Sequence, residues 1–161
     1  AAMWRYLGSA TPSYGNMVST FHTFYEAYPT PSGALSAIDC RQMDALASIK
    51  RNINSRYALP QAMVDSLQVL DGFATPLFFD LGDYVDHLCA NATLLSDFHA
   101  QLKRAVPYAA STQTLYSYLY DHPVYIPVNT FSGITISDPS TSSVAEKGKK
   151  NTEWWKATHE E

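Results

Sequence analysis

The hydrophobic spacing of this chain changes period at Pro107, and this change constrains the fold more than any other feature of the sequence. Before Pro107, apolar residues recur at intervals of three and four positions, the spacing that places side chains on one face of a helix. From Thr114 to Ser137, β-branched and aromatic residues often alternate with other residues, as they do in strands. The sequence therefore predicts an α+β fold, helix-rich over the first two-thirds, with a small set of β-strands near the C-terminus.

Six segments have the spacing of helices, and a residue that can cap a helix precedes three of them. Asp39 is followed three residues later by Gln42, as in a capping box, and Pro107 ends the fifth segment. The predicted helices run from the cap Ser13 to Tyr28, from Asp39 to Tyr57, from Gln61 to Leu70, from Asp80 to Cys89, from the cap Thr93 to Val106, and from Thr152 to Thr158.

Short extended segments lie between and after these helices. The predicted strands are Ala34–Ile38, Thr114–Tyr120, Val124–Val128 and Gly133–Ser137, and Leu77–Phe79 is a brief apolar run. The polar stretch 138–143 indicates a loop, and the basic cluster 147–150, which lies close to glutamates, indicates a solvated loop. A strand as short as Ala34–Ile38 is not expected to stand alone, so we expect an exposed apolar patch beside it.

The charge and composition of the chain restrict its possible partners. The net charge of −4 argues against nucleic-acid binding, because phosphates require clustered Lys and Arg. No stretch contains the roughly 18 apolar residues of a membrane span. Charged residues make up only 16% of the chain, which fits either a surface covered by a missing partner domain or an ordinary aromatic-rich secreted domain. Since the chain begins at Ala1 and not at Met, we expect a processed or truncated polypeptide.

The two cysteines, Cys40 and Cys89, both lie in helical patterns. Buried free thiols are therefore favoured over a single disulfide. Cys40 follows an aspartate at a helix start, where the pKa of a thiol is lowered, and this makes it a candidate nucleophile. The one upstream histidine, His22, is not followed by glycine, so a structural cysteine is the favoured interpretation.

The positions of the remaining histidines favour solvated Asp–His pairs over a zinc site. Asp83 and His87 share a helix face, and His99 lies near Asp97 in sequence. A zinc site would need three or four converging ligands, and no third one is evident. Local structure explains the other candidates: a turn at His122, a frayed end at His159, and a helix cap at Thr93 of the glycosylation sequon Asn91–Thr93.

Four segments resemble the clostripain family of cysteine peptidases, in the family's order. Leu35–Asp39 is similar to a Ser-Ala-Ile/Val-Asp landmark that lies well downstream of the family's catalytic cysteine. The others are Phe79–Val85, similar to a helix start, Phe131–Ile136, similar to a Ser-Gly-Leu-Ser-Ile strand, and Thr152–Trp154, similar to a Thr-x-Trp turn. The chain departs from the family at residues 137–139, where an aromatic residue tends to precede the proline.

The resemblance implies that this chain packs its helices and strands against a caspase-like α/β catalytic domain. In the family, a His–Cys dyad cleaves after Arg or Lys, and the His assists formation of the thiolate. The dyad lies upstream of the Ser-Ala-Ile-Asp landmark. We therefore expect residues 1–161 to form a single non-catalytic C-terminal subdomain, with no catalytic, cofactor-binding or metal-binding residues.

The implied partner is the N-terminal catalytic segment of the same peptidase, which would bind the protein or peptide substrates. The implied location is secreted or in the cell envelope of a bacterium, with no nucleic-acid partner and no membrane span. The alternative is an autonomous, non-enzymatic binding or scaffold module, since 13% of the residues are aromatic. A closed polar surface or a defined aromatic groove would favour this alternative.

Overall fold

The computed structural model describes residues 13–159, and the processing or truncation expected at Ala1 lies outside them. The helices in this part of the chain are α1 (Tyr14–Glu26), α2 (Met43–Asn54), α3 (Leu81–Leu88), α4 (Ala92–Ala105), α5 (Ser143–Lys149) and α6 (Glu153–His159), with 3₁₀ helices at Cys40–Gln42 and Gln61–Ser66. The strands are β1 (Ala34–Ala37), β2 (Val69–Phe73), β3 (Thr75–Asp80), β4 (Tyr108–Ser111), β5 (Thr114–Leu119), β6 (His122–Pro127) and β7 (Thr135–Ile136). The predicted α+β fold is confirmed.

The described strands form two separate sheets. β1 pairs antiparallel with β4, so that Ala34 lies opposite Ser111. The larger sheet has the strand order β6-β5-β2-β3-β7. Its pairs are antiparallel except for β2 and β5, which run parallel at Phe73 and Tyr118. α1 packs against both strands of the small sheet, whereas α2 contacts α4 and α6.

Three of the described helices, α1, α3 and α4, begin just after a residue whose side chain caps the first turn. The side chains of Ser13 and Asp80 each accept a hydrogen bond from a backbone N–H in the first turn, which confirms the predicted cap at Ser13. The sequence predicted Thr93 as the cap of α4, and this prediction is wrong, because the cap is Asn91. Asn91 has an extended backbone immediately before the first turn, which is the geometry that an N-cap requires, whereas Thr93 already lies inside the helix.

Asp39 caps the 3₁₀ turn that precedes α2, not α2 itself. The predicted capping box with Gln42 does not form, because the Gln42 side chain accepts a hydrogen bond from Gln101 Nε2 at 3.1 Å. The backbone N–H of Asp39 instead donates to Ala105 O at 2.8 Å. The turn, which closes through the bond from Gln42 N–H to Asp39 O at 3.0 Å, is therefore also joined to α4.

The segment predicted as a helix from Gln61 to Leu70 is a 3₁₀ helix followed by a strand. The 3₁₀ helix ends at Ser66, and Leu70 is buried within β2. A helix and this arrangement both bury Leu67 and Leu70, so apolar spacing does not distinguish them. β3, which pairs with β2, contains the apolar run 77–79. β1, β2 and β3 therefore place strands in the part of the chain that was predicted to be helix-rich.

Two further elements, β4 and α5, have no counterpart in the predictions. α5 covers much of the basic cluster 147–150, and Lys149 is buried, so the solvated-loop interpretation is wrong there. Lys149 can be buried because its ammonium donates to Asp138 O at 2.8 Å. The predicted helix near the C-terminus is confirmed as α6, and the last predicted strand is confirmed with the shorter bounds of β7.

One hydrophobic cluster joins the helices to the larger sheet. α2, α3 and α4 contribute Leu46, Val85 and Phe98, which are fully buried. β3 and β7 contribute Phe79 and Ile136 to the same cluster. Full burial of one such side chain stabilises the fold by roughly 1.5–3 kcal/mol. None of the described helices is both long and apolar enough to span a membrane.

The two-residue turn of the β5–β6 hairpin uses unfavourable residues. Tyr120 and Asp121 have positive φ angles of 53° and 62°, which suit a type I′ turn but favour Asn and Gly. Replacing Asp121 with glycine should raise the free energy of unfolding by about 0.5–1 kcal/mol, since a left-handed backbone costs about 1–2 kcal/mol for a residue with a Cβ. Urea denaturation measures this change. The same substitution at exposed Asp97 in α4 should be destabilising, and destabilisation at both positions would contradict the prediction.

Candidate functional site

The two cysteines are free and lie in different environments. Cys89 is buried at the end of α3, as predicted, and its thiol lies 3.6 Å from Asn91 O. Cys40 is exposed, so the prediction of a buried thiol is wrong there. Cys40 belongs to the 3₁₀ turn ahead of α2, and its side chain therefore does not follow the buried face of that helix.

Each described histidine contacts a carboxylate or a backbone carbonyl. The contacts are His22 with Glu26 at 3.5 Å, His87 with Asp83 at 3.6 Å, His99 with Asp86 at 2.6 Å, His122 with Tyr120 O at 2.9 Å and His159 with Trp155 O at 3.2 Å. The predicted Asp83–His87 pair is confirmed. His99 pairs with Asp86 and not with Asp97, because residues two apart on a helix do not face each other. No three His, Cys, Asp or Glu residues of the described chain are placed to hold a metal ion.

Three of the segments that carry the family resemblance meet at one junction. The Ser132 N–H donates to Asp80 Oδ2 at 2.6 Å, and the Gly82 N–H donates to Ser132 Oγ at 3.2 Å. From the first segment, Ser36 Oγ donates to Gly133 O at 2.7 Å. Asp80 is fully buried, so these bonds are shielded from water. The junction fixes the small sheet and the start of α3 to the loop before β7.

A buried ion pair lies between α2 and the 138–140 turn, and the sequence predictions missed it. Lys50 is 0% exposed, and its Nζ lies 3.3 Å from Asp138 Oδ2 and 2.8 Å from Asn54 Oδ1. The ammonium also lies 4.7 Å from the centre of the Tyr84 ring, a cation–π distance. A signal for this burial exists in the sequence, since Lys50 shares the apolar face of α2 with Leu46.

Lys149 extends this buried cluster from α5. Its ammonium donates to Asp138 O at 2.8 Å and to Ser140 O at 3.3 Å, and it forms an ion pair with Glu146. It also lies 5.1 Å from the centre of the Trp155 ring. The two lysines therefore hold the 138–140 turn between α2 and α5.

The environment of this cluster shifts several pKa values. Burial lowers the pKa of Lys50, and the Asp138 carboxylate opposes this shift. Burial also raises the pKa of the Tyr84 hydroxyl, and the negative charge of Asp138 adds to the effect. The hydrogen bond from Lys149 lowers the pKa of Glu146. Each buried lysine therefore has a carboxylate beside it, which offsets part of the cost of burying the lysine charge.

A cavity of about 360 Å³ lies beside the cluster. Its lining includes charged, polar and apolar side chains, among them Asn54, Val64, Tyr84, Asp138, Trp155 and His159. Because the lysine charges behind this cavity are already paired, its walls present no concentrated charge of one sign.

A larger cavity, of about 540 Å³, opens beside the C-terminal end of β1. Tyr14, Ile38 and Tyr108 give it a mainly apolar lining, and each of these side chains is 45–54% exposed. Asp39 and Arg41 form its polar side, and the hydrogen bond from Arg41 lowers the pKa of Asp39. Among the described strands, β1 pairs only with β4. This cavity and the free edge of β1 lie where the sequence predicts an exposed apolar patch.

Solved structures of clostripain-type proteases share this fold. A clostripain from Bacteroides thetaiotaomicron, in complex with a peptide inhibitor, is 44% identical over 99% of this chain, with a TM-score of 0.89. The secreted C11 cysteine protease iotapain, from the same organism, is 43% identical over 98% of the chain, also with a TM-score of 0.89. An inactive zymogen C11 protease from Parabacteroides distasonis is 22% identical over 96%, with a TM-score of 0.78, which shows the fold alone. No family model and no curated protein matches the chain.

This chain belongs to the clostripain family of cysteine proteases. It spans 69% of the length of the clostripain, 43% of iotapain and 45% of the zymogen, and it matches a C-terminal part of these proteases. The family predicted from the sequence is therefore confirmed. The relatives are longer chains that contain polypeptide with no counterpart in this one.

Proposed function

We propose that this chain is the structural C-terminal portion of a cysteine endopeptidase that cleaves after Arg or Lys, and that the His–Cys dyad lies outside it. The observation that carries the proposal is the 44% identity to a clostripain over 99% of the chain. That clostripain is in complex with an inhibitor whose peptide, VLTK, ends in lysine, which supports basic specificity. The contacts of the described histidines with oxygens support the absence of a dyad.

In this proposal, residues 1–161 form one non-catalytic subdomain that packs against a caspase-like α/β catalytic domain. The partner is the N-terminal catalytic segment, which binds the protein or peptide substrates. The cavity beside β1 offers this segment an apolar surface, and Ile38 and Tyr108 lose contact with water on docking. The free edge of β1 offers backbone groups that a strand of another sheet can pair with.

The location that we propose is secreted or in the cell envelope of a bacterium. One relative is described as a secreted protease from a Bacteroides species, and this supports the proposal.

The isolated 161-residue chain should not hydrolyse reporter peptides that contain Arg or Lys, whereas the parent protease that contains it should. The physical reason is that a thiolate needs a histidine to assist its formation, and Cys40 has no such partner in this proposal. Release of a fluorophore from the peptides measures the turnover. Cys40→Ala in the parent protease should leave kcat/KM unchanged. Turnover by the isolated chain that Cys40→Ala abolishes would contradict the proposal.

A second function, an autonomous binding module, is favoured by an exposed aromatic face on the larger sheet. Phe73, Tyr116, Tyr118 and Tyr125 are 41–61% exposed. Phe73 stacks on Tyr118 with ring centres 5.6 Å apart, and the rings of Tyr116 and Tyr125 meet edge to face at 5.4 Å. Tyrosine-rich surfaces are typical of protein interfaces.

Expression with and without the upstream segment separates the two functions. A portion of a peptidase should aggregate when expressed alone and become soluble when the upstream segment is co-expressed, because its docking surface is then covered. A soluble, folded monomer in the absence of that segment would favour the autonomous module.

A further inference from the structure

His159, at the end of α6, is held in one tautomer by hydrogen bonds that begin at Lys50. The Lys50 ammonium donates to Asn54 Oδ1 at 2.8 Å, which turns the oxygen of the amide toward the lysine. The amide nitrogen therefore faces α6, where it donates to Thr158 O at 2.9 Å and lies 3.2 Å from His159 Nε2. Since an amide nitrogen only donates, Nε2 must accept, and the proton of the neutral ring lies on Nδ1.

The other contacts of the His159 ring agree with this tautomer. Nδ1 lies 3.2 Å from Trp155 O, which is an acceptor, and 2.9 Å from the Thr158 hydroxyl. That hydroxyl donates to Trp154 O at 2.8 Å, so it can also accept from Nδ1. The ring stacks on the Trp155 indole with centres 3.7 Å apart. A neutral imidazole satisfies all of these contacts.

Protonation would place a second donor, Nε2–H, against the Asn54 amide. Among the described residues, Asp138 is the carboxylate that faces the ring: its Oδ2 lies 3.9 Å from Nε2, but this oxygen already lies 3.3 Å from the Lys50 ammonium. Lys50 from α2 and Lys149 from α5 repel a charged ring, while Tyr84 from α3 and Glu146 from α5 line the same cavity. Partial burial lowers the pKa of His159, Asp138 opposes this shift, and the two lysines add to it.

We propose that His159 is a pH-sensitive contact that docks α6 on α2 at neutral pH and releases it in acid. In the neutral state, the Asn54 amide joins the ends of the two helices through His159 Nε2 and Thr158 O. On protonation, either the amide turns or α6 moves away. A turned amide loses its bond from Lys50, and a displaced helix loses the bond to Thr158 O. Release also opens the cavity of about 360 Å³ that Trp155 and His159 help to line.

The pH range of the release follows from the direction of the pKa shift. A histidine in an undocked helix has the ordinary pKa of 6.5, and the docked state lowers the pKa of His159 below this value. Docking is therefore fully favoured above pH 6.5 and weakens as the pH falls from 6.5 through the docked pKa. The inference does not rest on the peptidase function proposed above.

Imidazole ¹⁵N NMR and amide hydrogen exchange on the parent protease that contains this chain test the proposal. At about pH 7.5, His159 should be neutral, with its proton on Nδ1. By about pH 5.5, the amides of α6 should lose protection relative to those of α4, after correction for the intrinsic pH dependence of exchange. An Nε2–H tautomer at neutral pH, or unchanged protection of α6 in acid, would overturn the proposal.

Three variants separate this contact from general instability in acid. His159→Gln keeps an acceptor for the Asn54 amide but does not titrate, so the protection of α6 should no longer depend on pH. Asn54→Asp replaces the donor with a carboxylate that accepts from an imidazolium, so the pKa of His159 should rise and release in acid should be lost. His99→Gln, at the exposed pair with Asp86, is the control and should leave the release unchanged. Release that persists in His159→Gln, or a His159 pKa that does not rise in Asn54→Asp, overturns the proposal.

Discussion

Replacing Asp138 with alanine should lower the free energy of unfolding by about 3–5 kcal/mol, the cost typical of removing one partner of a buried ion pair. The Lys50 ammonium is fully buried, and the Asp138 carboxylate faces it at 3.3 Å. Without this carboxylate, Lys50 keeps its contacts with Asn54 and Tyr84 but loses the adjacent negative charge. Urea denaturation followed by circular dichroism measures the loss.

Two matched variants test whether the loss comes from the ion pair. Asp97→Ala removes an exposed carboxylate from α4 and should change the stability by less than about 0.5 kcal/mol. The double variant Lys50→Met/Asp138→Leu removes both charges and should recover much of the lost stability, because an apolar pair of similar volume needs no desolvation. If Asp138→Ala lowered the free energy of unfolding no more than Asp97→Ala does, the Lys50–Asp138 ion pair would not be the main interaction that stabilises the 138–140 turn.

The helices could be predicted from the sequence because their signals are local. Ser13 and Asp80 cap helices whose apolar residues follow within two turns, so the pattern and the cap lie in one short window. The strand of the family landmark, Ala34–Ile38, was also found, with an end one residue too late. Local spacing does not show which strand a strand pairs with. β1 pairs with β4, between 71 and 77 residues further along the chain, as the register from Ala37–Tyr108 to Ala34–Ser111 shows.

Long-range pairing also explains the errors of the prediction. The helix expected to reach Leu70 becomes a strand because β3 supplies a partner for β2, and this tertiary contact overrides the local spacing. Lys50 was not predicted as buried because a lysine within a helix is ordinarily on its exposed face. Its burial depends on Asp138, which is 88 residues away.

Contacts between different elements were also missed in the prediction of the candidate site. The sequence correctly predicted the Asp83–His87 pair, since both residues lie on one helix, but it assigned His99 a neighbour on its own helix instead of Asp86 on α3. The family was identified from motifs whose spacing says nothing about their contacts. The structure supplies the reason that three of them occur together: Ser36, Asp80 and the Ser132–Gly133 pair form one hydrogen-bonded junction.

That junction leaves no space for a side chain at Gly133. The residue has a φ of +87°, and an added Cβ would lie 2.6 Å from Val106 Cγ1 and 3.0 Å from the Cβ atoms of Ala109 and Ser36. The helix α4 ends just before Val106, Ala109 belongs to β4, and Ser36 belongs to β1, so any movement away from Gly133 must displace the small sheet from the chain that leads into β7.

Replacing Gly133 with alanine should therefore lower the free energy of unfolding by about 2–5 kcal/mol. A left-handed backbone costs a residue with a Cβ about 1–2 kcal/mol, and overpacking costs a further 1–3 kcal/mol or so. Gly148 is the matched control, because it lies in α5 and an added Cβ would meet nothing within 4 Å beyond its chain neighbours and the backbone of its own helix. Gly148→Ala should raise the stability by up to about 1 kcal/mol, as alanine favours a helix. Urea denaturation of both variants measures the two changes, and equal effects at the two glycines would show that the junction tolerates a side chain.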